Sequence, residues 1–100
     1  MWQVEIHPLV WEEDFRRLDP QARREITTAI RRKLTTHPTE FGKSLSSLLQ
    51  GYWRLRVGAY RVIYRVEAQR VVVLVIKVGI RRDAQVYLEM IPRLRKLGWL

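Results

Sequence analysis

Arginine and tyrosine side chains in the second half of this sequence are the residues best suited to chemistry. The planar guanidinium group of arginine binds the oxygens of a phosphate through two parallel hydrogen bonds. A tyrosine among arginines is useful because nearby positive charge favours its phenolate form. The side chains concerned are Tyr52, Arg54, Arg56, Arg61, Arg65, Arg81, Arg82 and Tyr87. They predict a site for an anionic, phosphate-containing ligand.

The distribution of charge agrees with this prediction. The chain of 100 residues carries 19 Lys and Arg side chains against 10 Asp and Glu, a formal net charge of +9. Residues 51–100 contain eleven basic side chains and three acidic ones, a net charge of +8 for that half. Nucleic acid is the commonest anionic partner of a basic domain, although a high charge can also serve solubility alone.

Composition excludes several kinds of site. The sequence contains no cysteine, so neither a disulfide framework nor a thiolate metal site is possible. His7 and His37 both precede prolines outside the basic half, which favours turn positions over acid–base chemistry. No acidic cluster suits Mg²⁺, and no grouping of His, Asp and Glu suits zinc. We therefore expect no cofactor, and if the protein acts on phosphodiesters it does so without a metal, through arginine and tyrosine.

Hydrophobic periodicity predicts the elements that position these side chains. Asp19 as N-cap and Pro20 as first helical residue mark a helix start. The predicted elements are a strand around Val4–Ile6, a helical hairpin over 9–18 and 20–36, a connecting segment over 39–50, strands over 52–57, 60–66 and 71–78 with Gly79 ending the last, and a closing helix from Ala84 that is interrupted at Pro92. Ser44, Ser46 and Ser47 in the connecting segment are interpreted as loop or capping residues.

A two-residue turn at Gly58-Ala59 fixes the register of the predicted hairpin. Its ladder pairs Arg56 with Arg61 and Tyr52 with Arg65. One face then carries the apolar set Trp53, Leu55, Val57, Tyr60, Val62 and Tyr64, and the other carries Tyr52, Arg54, Arg56, Arg61 and Arg65. Like charges directly opposite each other destabilise a sheet, so an anionic ligand is the simplest reason for them. Protection of a sheet edge, or screening by Glu67 and Asp83, is the alternative.

These patterns predict an α+β fold in a single domain over residues 1–100. An N-terminal strand and a helical hairpin pack on a mainly antiparallel sheet that has three consecutive C-terminal strands and a short C-terminal helix. The longest apolar run, residues 71–76, is too short to span a bilayer, and the N-terminus lacks the pattern of a signal peptide. We therefore expect a cytoplasmic protein.

The segment from Gly51 to Val66, GYWRLRVGAYRVIYRV, resembles the RelE branch of the RelE/ParE toxin superfamily. The valine-rich strand, Gly79, Arg81-Arg82 and Val86-Tyr87 extend the resemblance over nearly the whole chain. It implies the toxin of a type II toxin–antitoxin pair, which cleaves mRNA in the ribosomal A site and so inhibits translation. It also implies a RelB-like antitoxin that wraps around the toxin.

The resemblance implies individual roles. Arg61 matches an arginine that stabilises the transition state, Arg81 one that assists the leaving group, and Tyr87 a proposed general base. Arg54 matches a lysine that contacts the RNA backbone, whereas Tyr52 stands where some members have a second lysine. Many members also have a histidine before the arginine at 81, and this chain has Ile80 there. The set of expected phosphate-binding residues is Arg54, Arg56, Tyr52, Arg65 and Arg82.

Three other functions stay open. A ParE-like toxin shares the fold but inhibits DNA gyrase and needs no nuclease site. A non-catalytic RNA- or DNA-binding module would use the arginines only to hold phosphates, with a steep salt dependence. A degenerate toxin would have lost its activity.

Overall fold

The computed structural model describes residues 1–80 and 83–100, without the side chain of Asp83. Its centre is a five-stranded sheet in the order β1-β5-β4-β3-β2. The strands are β1 (Gln3–Ile6), β2 (Lys43–Ser44), β3 (Tyr52–Val57), β4 (Tyr60–Glu67) and β5 (Val72–Ile80). β1 runs parallel to β5, and the other neighbours are antiparallel. The predicted α+β class and mainly antiparallel sheet are confirmed.

Two helices cover the sheet, one on each face. α1 (Pro20–Ala29) begins as predicted, with the Asp19 carboxylate accepting a 2.8 Å hydrogen bond from the backbone N–H of Ala22. The wider π-helical turns of Ile30–Leu34 continue it. The first predicted helix is a π-helical stretch, Val10–Asp14, followed by a 3₁₀ turn, Phe15–Arg17. α2 (Asp83–Leu97) crosses the opposite face.

The predicted hairpin register is confirmed residue by residue. Val57 pairs with Tyr60, Arg56 with Arg61, and Tyr52 with Arg65. Gly58 has a φ of +57°, a conformation that glycine adopts without the steric cost of a side chain. The turn therefore sets which side chains of β3 and β4 share a face.

Two predictions about where an element ends were wrong, and the connecting segment contains a short strand that was not predicted. α2 is 15 residues long and continues through Pro92. Pro92 and Leu88 both lie on its exposed side, so the carbonyl that Pro92 leaves without a helical donor can be hydrated. β5 extends past Gly79 to Ile80, and the connecting segment contains the edge strand β2 besides a 3₁₀ turn, Ser47–Leu49.

The sheet has two distinct faces. The α1 face packs on α1 through Leu55, Val62, Tyr64, Val73 and Val75, among others. The α2 face packs on α2 through Tyr52, Ile63 and Ile76. β5 is therefore buried on both sides, as its continuous apolar run predicts.

In the described part of the chain, helices that are both long and apolar enough to cross a membrane are absent.

Candidate functional site

α2 divides the predicted arginine surface into two parts. Its side chains Val86, Met90 and Leu94 pack on the middle of the α2 face, against Ile63 and Ile76. The five polar side chains of β3 and β4 do lie on one face, as the alternation predicts. They do not form one open surface, because the helix lies across it.

One part is a cavity of about 270 Å³ at the β2 edge of the sheet. We call it the basic cavity. Arg54 and Arg56 reach it from β3 and Tyr87 from α2. Its lining residues are Lys43, Ser44, Leu45, Ser46, Leu49, Arg54, Arg56 and Tyr87. The cavity therefore joins two predicted phosphate-binding arginines with the predicted general base.

Arg54 contributes a positive charge to this cavity, and little of its surface is exposed to solvent. The residue is 9% exposed, whereas Arg56 beside it is exposed. A guanidinium group is not deprotonated in proteins, so burial does not remove its charge. Its attraction for an anion is stronger there than at the surface, because less water screens the charge. The cavity is therefore suited to a phosphate or another anion.

Two pairs of cations face each other across strands beside the cavity. Lys43 of β2 is the register partner of Arg54, and Arg56 of β3 is the partner of Arg61. Arg54 and Arg56 are two positions apart on one strand, so both pairs lie on the α2 face. Like charges directly opposite each other are unfavourable in a sheet, so the two pairs concentrate positive charge beside the cavity.

Arg61 lies at the turn end of the hairpin. Its Nη1 donates hydrogen bonds of 3.1 Å to the carbonyl of Gly58 and 3.0 Å to the carbonyl of Tyr60. The guanidinium group is half-buried. These bonds hold its side chain at the turn, and its register partner Arg56 is one of the residues that line the basic cavity.

Tyr52 and Arg65 lie elsewhere, at the other end of the α2 face. Tyr52 is buried in the core beneath α2. The guanidinium carbon of Arg65 lies 5.7 Å from the ring centre of Tyr52 and 5.5 Å from that of Trp99. The Trp99 ring also meets His7 edge to face at 6.0 Å. Aromatic contacts therefore hold Arg65 outside the basic cavity.

The predicted site residues Arg81 and Arg82 lie outside the described residues. Glu67, a predicted screening acid, pairs instead with Arg70 at 2.7 Å near the β4–β5 turn. Asp83 belongs to the first turn of α2.

Close packing between Gly79 and Val86 sets the distance between α2 and the sheet next to Tyr87. A Cβ atom on Gly79 would lie 2.6 Å from Cγ2 of Val86, a distance that real side chains do not reach. Gly79 is the register partner of Arg61. The absence of a side chain at position 79 thus lets α2 approach β5 closely, one residue before Tyr87.

A buried ion network ties α2 to β5 and to the first helical segment. The Asp14 carboxylate accepts hydrogen bonds from Arg93 Nη1 at 2.7 Å, Lys77 Nζ at 3.1 Å and the backbone N–H of Val78 at 2.8 Å. The three charged residues are 4% to 6% exposed. β1 pairs with residues 72–75 of β5 and does not extend to Val78. The Asp14 carboxylate therefore accepts the hydrogen bond from the Val78 N–H that a neighbouring strand would otherwise accept.

The network reaches the surface through two glutamates. Lys77 forms a 3.1 Å ion pair with Glu89 of α2. Burial raises the pKa of Glu89, but the hydrogen bond and the charge of Lys77 outweigh it and leave the pKa below its ordinary value. A 3.0 Å hydrogen bond from Arg93 likewise lowers the pKa of Glu13. Both shifts indicate that the folded protein favours the charged carboxylates.

Short-range sequence patterns do not predict these groups. Asp14 is separated from Lys77 and Arg93 by 63 and 79 residues, so only the tertiary fold brings them together. Lys43, Ser44 and Ser46 were not predicted as site residues, because β2 contains only two residues. Ser46 occupies the cap position of the 3₁₀ turn without a side-chain cap hydrogen bond. One signal was available, since Lys43 is a cation within a segment that connects to β3.

Among the described residues, no group of three or more His, Cys, Asp and Glu side chains could hold a metal ion. The basic cavity itself is lined by cations, hydroxyl groups and apolar side chains. Such a lining can bind an anion.

Comparisons with known proteins agree with the fold. A family model described as ParE toxin of type II toxin-antitoxin system, parDE, matches residues 4–85. No curated protein matches the chain. A chain of the toxin–antitoxin complex RelBE2 from Mycobacterium tuberculosis is 26% identical with a TM-score of 0.76, and the match covers 82% of this chain and 93% of that one.

Two further solved structures are similar. The isolated RelE toxin of E. coli is 22% identical with a TM-score of 0.66, and the match covers 94% of this chain and 99% of that one. A chain of the archaeal RelE–RelB complex from Pyrococcus horikoshii is 25% identical with a TM-score of 0.64, covering 82% and 97%. The similarity therefore includes nearly all of each solved chain.

Proposed function

We propose that this chain, which belongs to the ParE toxin family of type II toxin–antitoxin systems, inhibits translation by cutting mRNA. It is a RelE-like toxin of the RelE/ParE superfamily. The proposed activity is that of a metal-independent endoribonuclease that cleaves mRNA bound to the ribosome, in the cytoplasm. The proposed toxin domain is the single unit of residues 1–100.

The observation that carries this proposal is the basic cavity. Tyr87 shares it with the buried Arg54 and the exposed Arg56. A phenol beside fixed cations is one combination that suits metal-free cleavage of RNA, because one group must take a proton and others must bind negative charge.

The reaction begins at the ribose 2′-OH next to the scissile phosphate. Tyr87, as phenolate, accepts the 2′-OH proton while the 2′-oxygen forms a bond to phosphorus. The bond between phosphorus and the 5′-oxygen breaks, which leaves a 2′,3′-cyclic phosphate and a 5′-oxygen that takes up a proton from solvent. Because no water is added to phosphorus in this step, the enzyme needs to activate no water molecule.

Arginines stabilise the charge that develops during this reaction. Arg61, with Arg54 and Arg56, binds the phosphoryl oxygens, and we assign Arg81 to the charge on the leaving 5′-oxygen. A guanidinium group is too weak an acid to donate its proton at neutral pH, so this role is electrostatic. The proposed phosphate-binding role of Arg65 and Arg82 concerns RNA farther from the scissile bond, while the buried Tyr52 contacts Arg65 through its ring.

The expected partner is an antitoxin. The similar structures from M. tuberculosis and P. horikoshii are toxin–antitoxin complexes. We propose a RelB-like antitoxin with an acidic segment, because a toxin with a net charge of +9 attracts a complementary chain.

Inhibition of DNA gyrase is the second candidate, because the matching family model describes ParE toxins. A gyrase inhibitor would need neither Tyr87 nor a nucleophile-activating cavity. A supercoiling assay beside a translation assay separates the two activities.

The main test is induction of the toxin in a bacterial host with mapping of mRNA 5′ ends. We expect cuts at in-frame codon positions. Tyr87→Phe and Arg61→Ala should abolish them, since loss of one preorganised group typically costs about 10²–10³ in rate. Arg23→Gln, on the exposed side of α1, is the control and should cut like wild type. Full toxicity of Arg61→Ala would contradict the assignment.

A further inference from the structure

We propose that Lys77 of β5 is a positioning residue of the proposed active site. Its ion pair with Glu89 fixes the rotation of α2 about the helix axis, and so holds Tyr87 at the basic cavity. The inference rests on the proposed function for the part that Tyr87 plays in RNA cleavage. It gives a role to a buried charge that the proposed reaction does not use.

Lys77 is a charged residue inside an otherwise apolar strand. β5 has the sequence VVLVIKVGI, and Lys77 is 5% exposed. Burial of an ammonium group costs free energy, and an apolar side chain at this position would avoid that cost. Because well-packed apolar residues often replace a buried ion pair without loss of stability, stability alone does not explain the lysine. A directional contact with α2 does explain it.

Two carboxylates hold the ammonium group of Lys77. Its Nζ lies 3.1 Å from Oδ1 of Asp14 and 3.1 Å from Oε1 of Glu89. The Asp14 carboxylate also accepts hydrogen bonds from Arg93 Nη1 and from the backbone N–H of Val78, so its position does not depend on Lys77. Asp14 therefore fixes Lys77, and Lys77 in turn fixes Glu89.

Glu89 and Tyr87 lie on opposite flanks of α2. An α-helix has 3.6 residues per turn, so two residues correspond to a rotation of about 200°. Val86, Met90 and Leu94 lie between the two flanks and pack on the sheet. Glu89 pairs with β5, whereas Tyr87 reaches a cavity lined by β2 and β3, on the other side of β4. Rotation of the helix that releases Glu89 therefore also moves Tyr87.

The other contacts of α2 leave this rotation to Lys77. Apolar burial has no directional demand, and the contact between Gly79 and Val86 sets a distance between helix and sheet. Arg93 binds Asp14 in the second half of α2, six residues beyond Tyr87. The Lys77–Glu89 pair restrains the first half, only two residues from Tyr87.

The test compares Lys77→Met with Lys96→Met, which makes the same substitution at an exposed lysine of α2. Lys96 lies 3.5 Å from Glu13 near the far end of the helix. Cleavage of mRNA on purified ribosomes is measured in single turnovers over a range of toxin concentrations. We expect Lys77→Met to lower the rate at saturating toxin by about 10²-fold, the cost of a displacement of about 1 Å. The half-maximal toxin concentration should stay unchanged, and Lys96→Met should match wild type in both values.

Two measurements separate positioning from a general loss of structure. Lys77→Met should unfold at the urea concentration of wild type, because Arg93 and Val78 still bind Asp14 and Glu89 is partly exposed. Glu89→Gln should lower the saturating rate of wild type and add no further loss to Lys77→Met, since two residues that act as one pair are not additive.

The position of Tyr87 can be observed without RNA. Leu45 and Leu49 line the basic cavity together with Tyr87. Nuclear Overhauser effects between the Tyr87 ring and the methyl groups of these leucines therefore report whether the ring is in place. We expect these effects to weaken or vanish in Lys77→Met and to persist in Lys96→Met.

The outcomes distinguish this inference from the proposed activity. Unchanged Overhauser effects in Lys77→Met, or cleavage equal to that of Lys96→Met, would show that Lys77 does not position Tyr87. A raised half-maximal concentration at an unchanged saturating rate, or a lower urea midpoint that accounts for the lost cleavage, would overturn it too. If wild type leaves mRNA intact while the Overhauser effects depend on Lys77 as expected, Lys77 positions Tyr87 and the nuclease proposal fails.

Discussion

The two faces of the sheet are held together in different ways. The α1 face joins the helix to the sheet through an apolar layer, with Tyr64 as its largest buried side chain. The α2 face combines a smaller apolar cluster with the buried charges of Arg54, Lys77 and Arg93. Burial of apolar area stabilises without directional demands, whereas buried charges stabilise only when their partners are in place. The α1 face thus stabilises the fold through apolar burial. The stability of the α2 face also depends on the exact positions of its charged groups, and such fixed positions are what a binding site needs.

The buried phenol of Tyr64 on the α1 face has a hydrogen-bond partner. The Tyr64 hydroxyl donates a 2.6 Å hydrogen bond to the carbonyl of Pro38, and burial raises the pKa of this phenol above its ordinary value. Gly42 makes room for the same hydroxyl group. On the α2 face, by contrast, the phenol of Tyr87 lies at a cavity with Arg54 and Arg56. The same side-chain type therefore packs in the core on one face and lines the basic cavity on the other.

Removal of Asp14 should have the largest effect on stability. Asp14→Ala leaves Lys77 and Arg93 buried without their shared carboxylate, and the N–H of Val78 without its acceptor. We expect a loss of about 3–5 kcal/mol in the free energy of unfolding, measured by urea denaturation at pH 7. Glu40→Ala, at an exposed position, should cost far less. A loss below about 1 kcal/mol for Asp14→Ala would show that the network contributes no net stability.

A matched pair of apolar truncations compares the two faces directly. Ile26→Ala in α1 and Met90→Ala in α2 each remove a side chain that is 0% exposed, and each should cost about 2–5 kcal/mol. Only Met90→Ala should also lower mRNA cleavage at a temperature where both variants are folded, because α2 carries Tyr87. Unfolding and cleavage are measured on the same preparations. Equal loss of cleavage in both variants would contradict the division of roles between the faces.

Local signals explain why the α1 face and the hairpin were predictable. Alternation from residue 52 to residue 66 and the turn at Gly58-Ala59 determine the register between adjacent strands, which needs no information about distant residues. The cap Asp19 marks the start of α1 in the same local way. These signals act within a few residues, so a sequence displays them directly.

The position of α2 over the sheet could not be predicted from local signals, because it depends on contacts between residues that are far apart in the sequence. Its position over the sheet depends on Gly79, Lys77 and Asp14, which contact or pair with residues of α2 that lie 7, 12 and 79 positions away in the sequence. The division of the arginine surface, which separates Arg65 from the basic cavity, follows from that position. Residue alternation thus predicted that the arginines share one face of the sheet, but only the tertiary contacts determine which of them line the basic cavity.

A methyl group at position 79 should disturb the α2 face with a smaller cost in stability. Gly79→Ala places a Cβ 2.6 Å from Cγ2 of Val86, so α2 must move away from β5. We expect a loss of about 1–3 kcal/mol and a larger proportional loss of mRNA cleavage, because Val86 precedes Tyr87. The second variant Gly79→Ala/Val86→Ala relieves the contact. If it cleaves no better than Gly79→Ala, the position of α2 is not what the glycine controls.

The smallest expected effect is the dependence of the Lys77–Glu89 pair on pH. The folded-state pKa of Glu89 lies below its ordinary value, so the pair's contribution is complete above the unfolded-state pKa of about 4.3. It is lost as the pH falls through the lower, folded-state pKa. Glu89→Gln should therefore be less stable than wild type at pH 7, and the difference should close as the pH is lowered from about 4.5 to 3. Urea denaturation at a series of pH values measures this difference, and Glu25→Gln on exposed α1 is the control. A difference that stays constant down to pH 3 would mean that Glu89 acts through packing and not through its charge, in which case the α2 face is less dependent on ion pairs than its distances indicate.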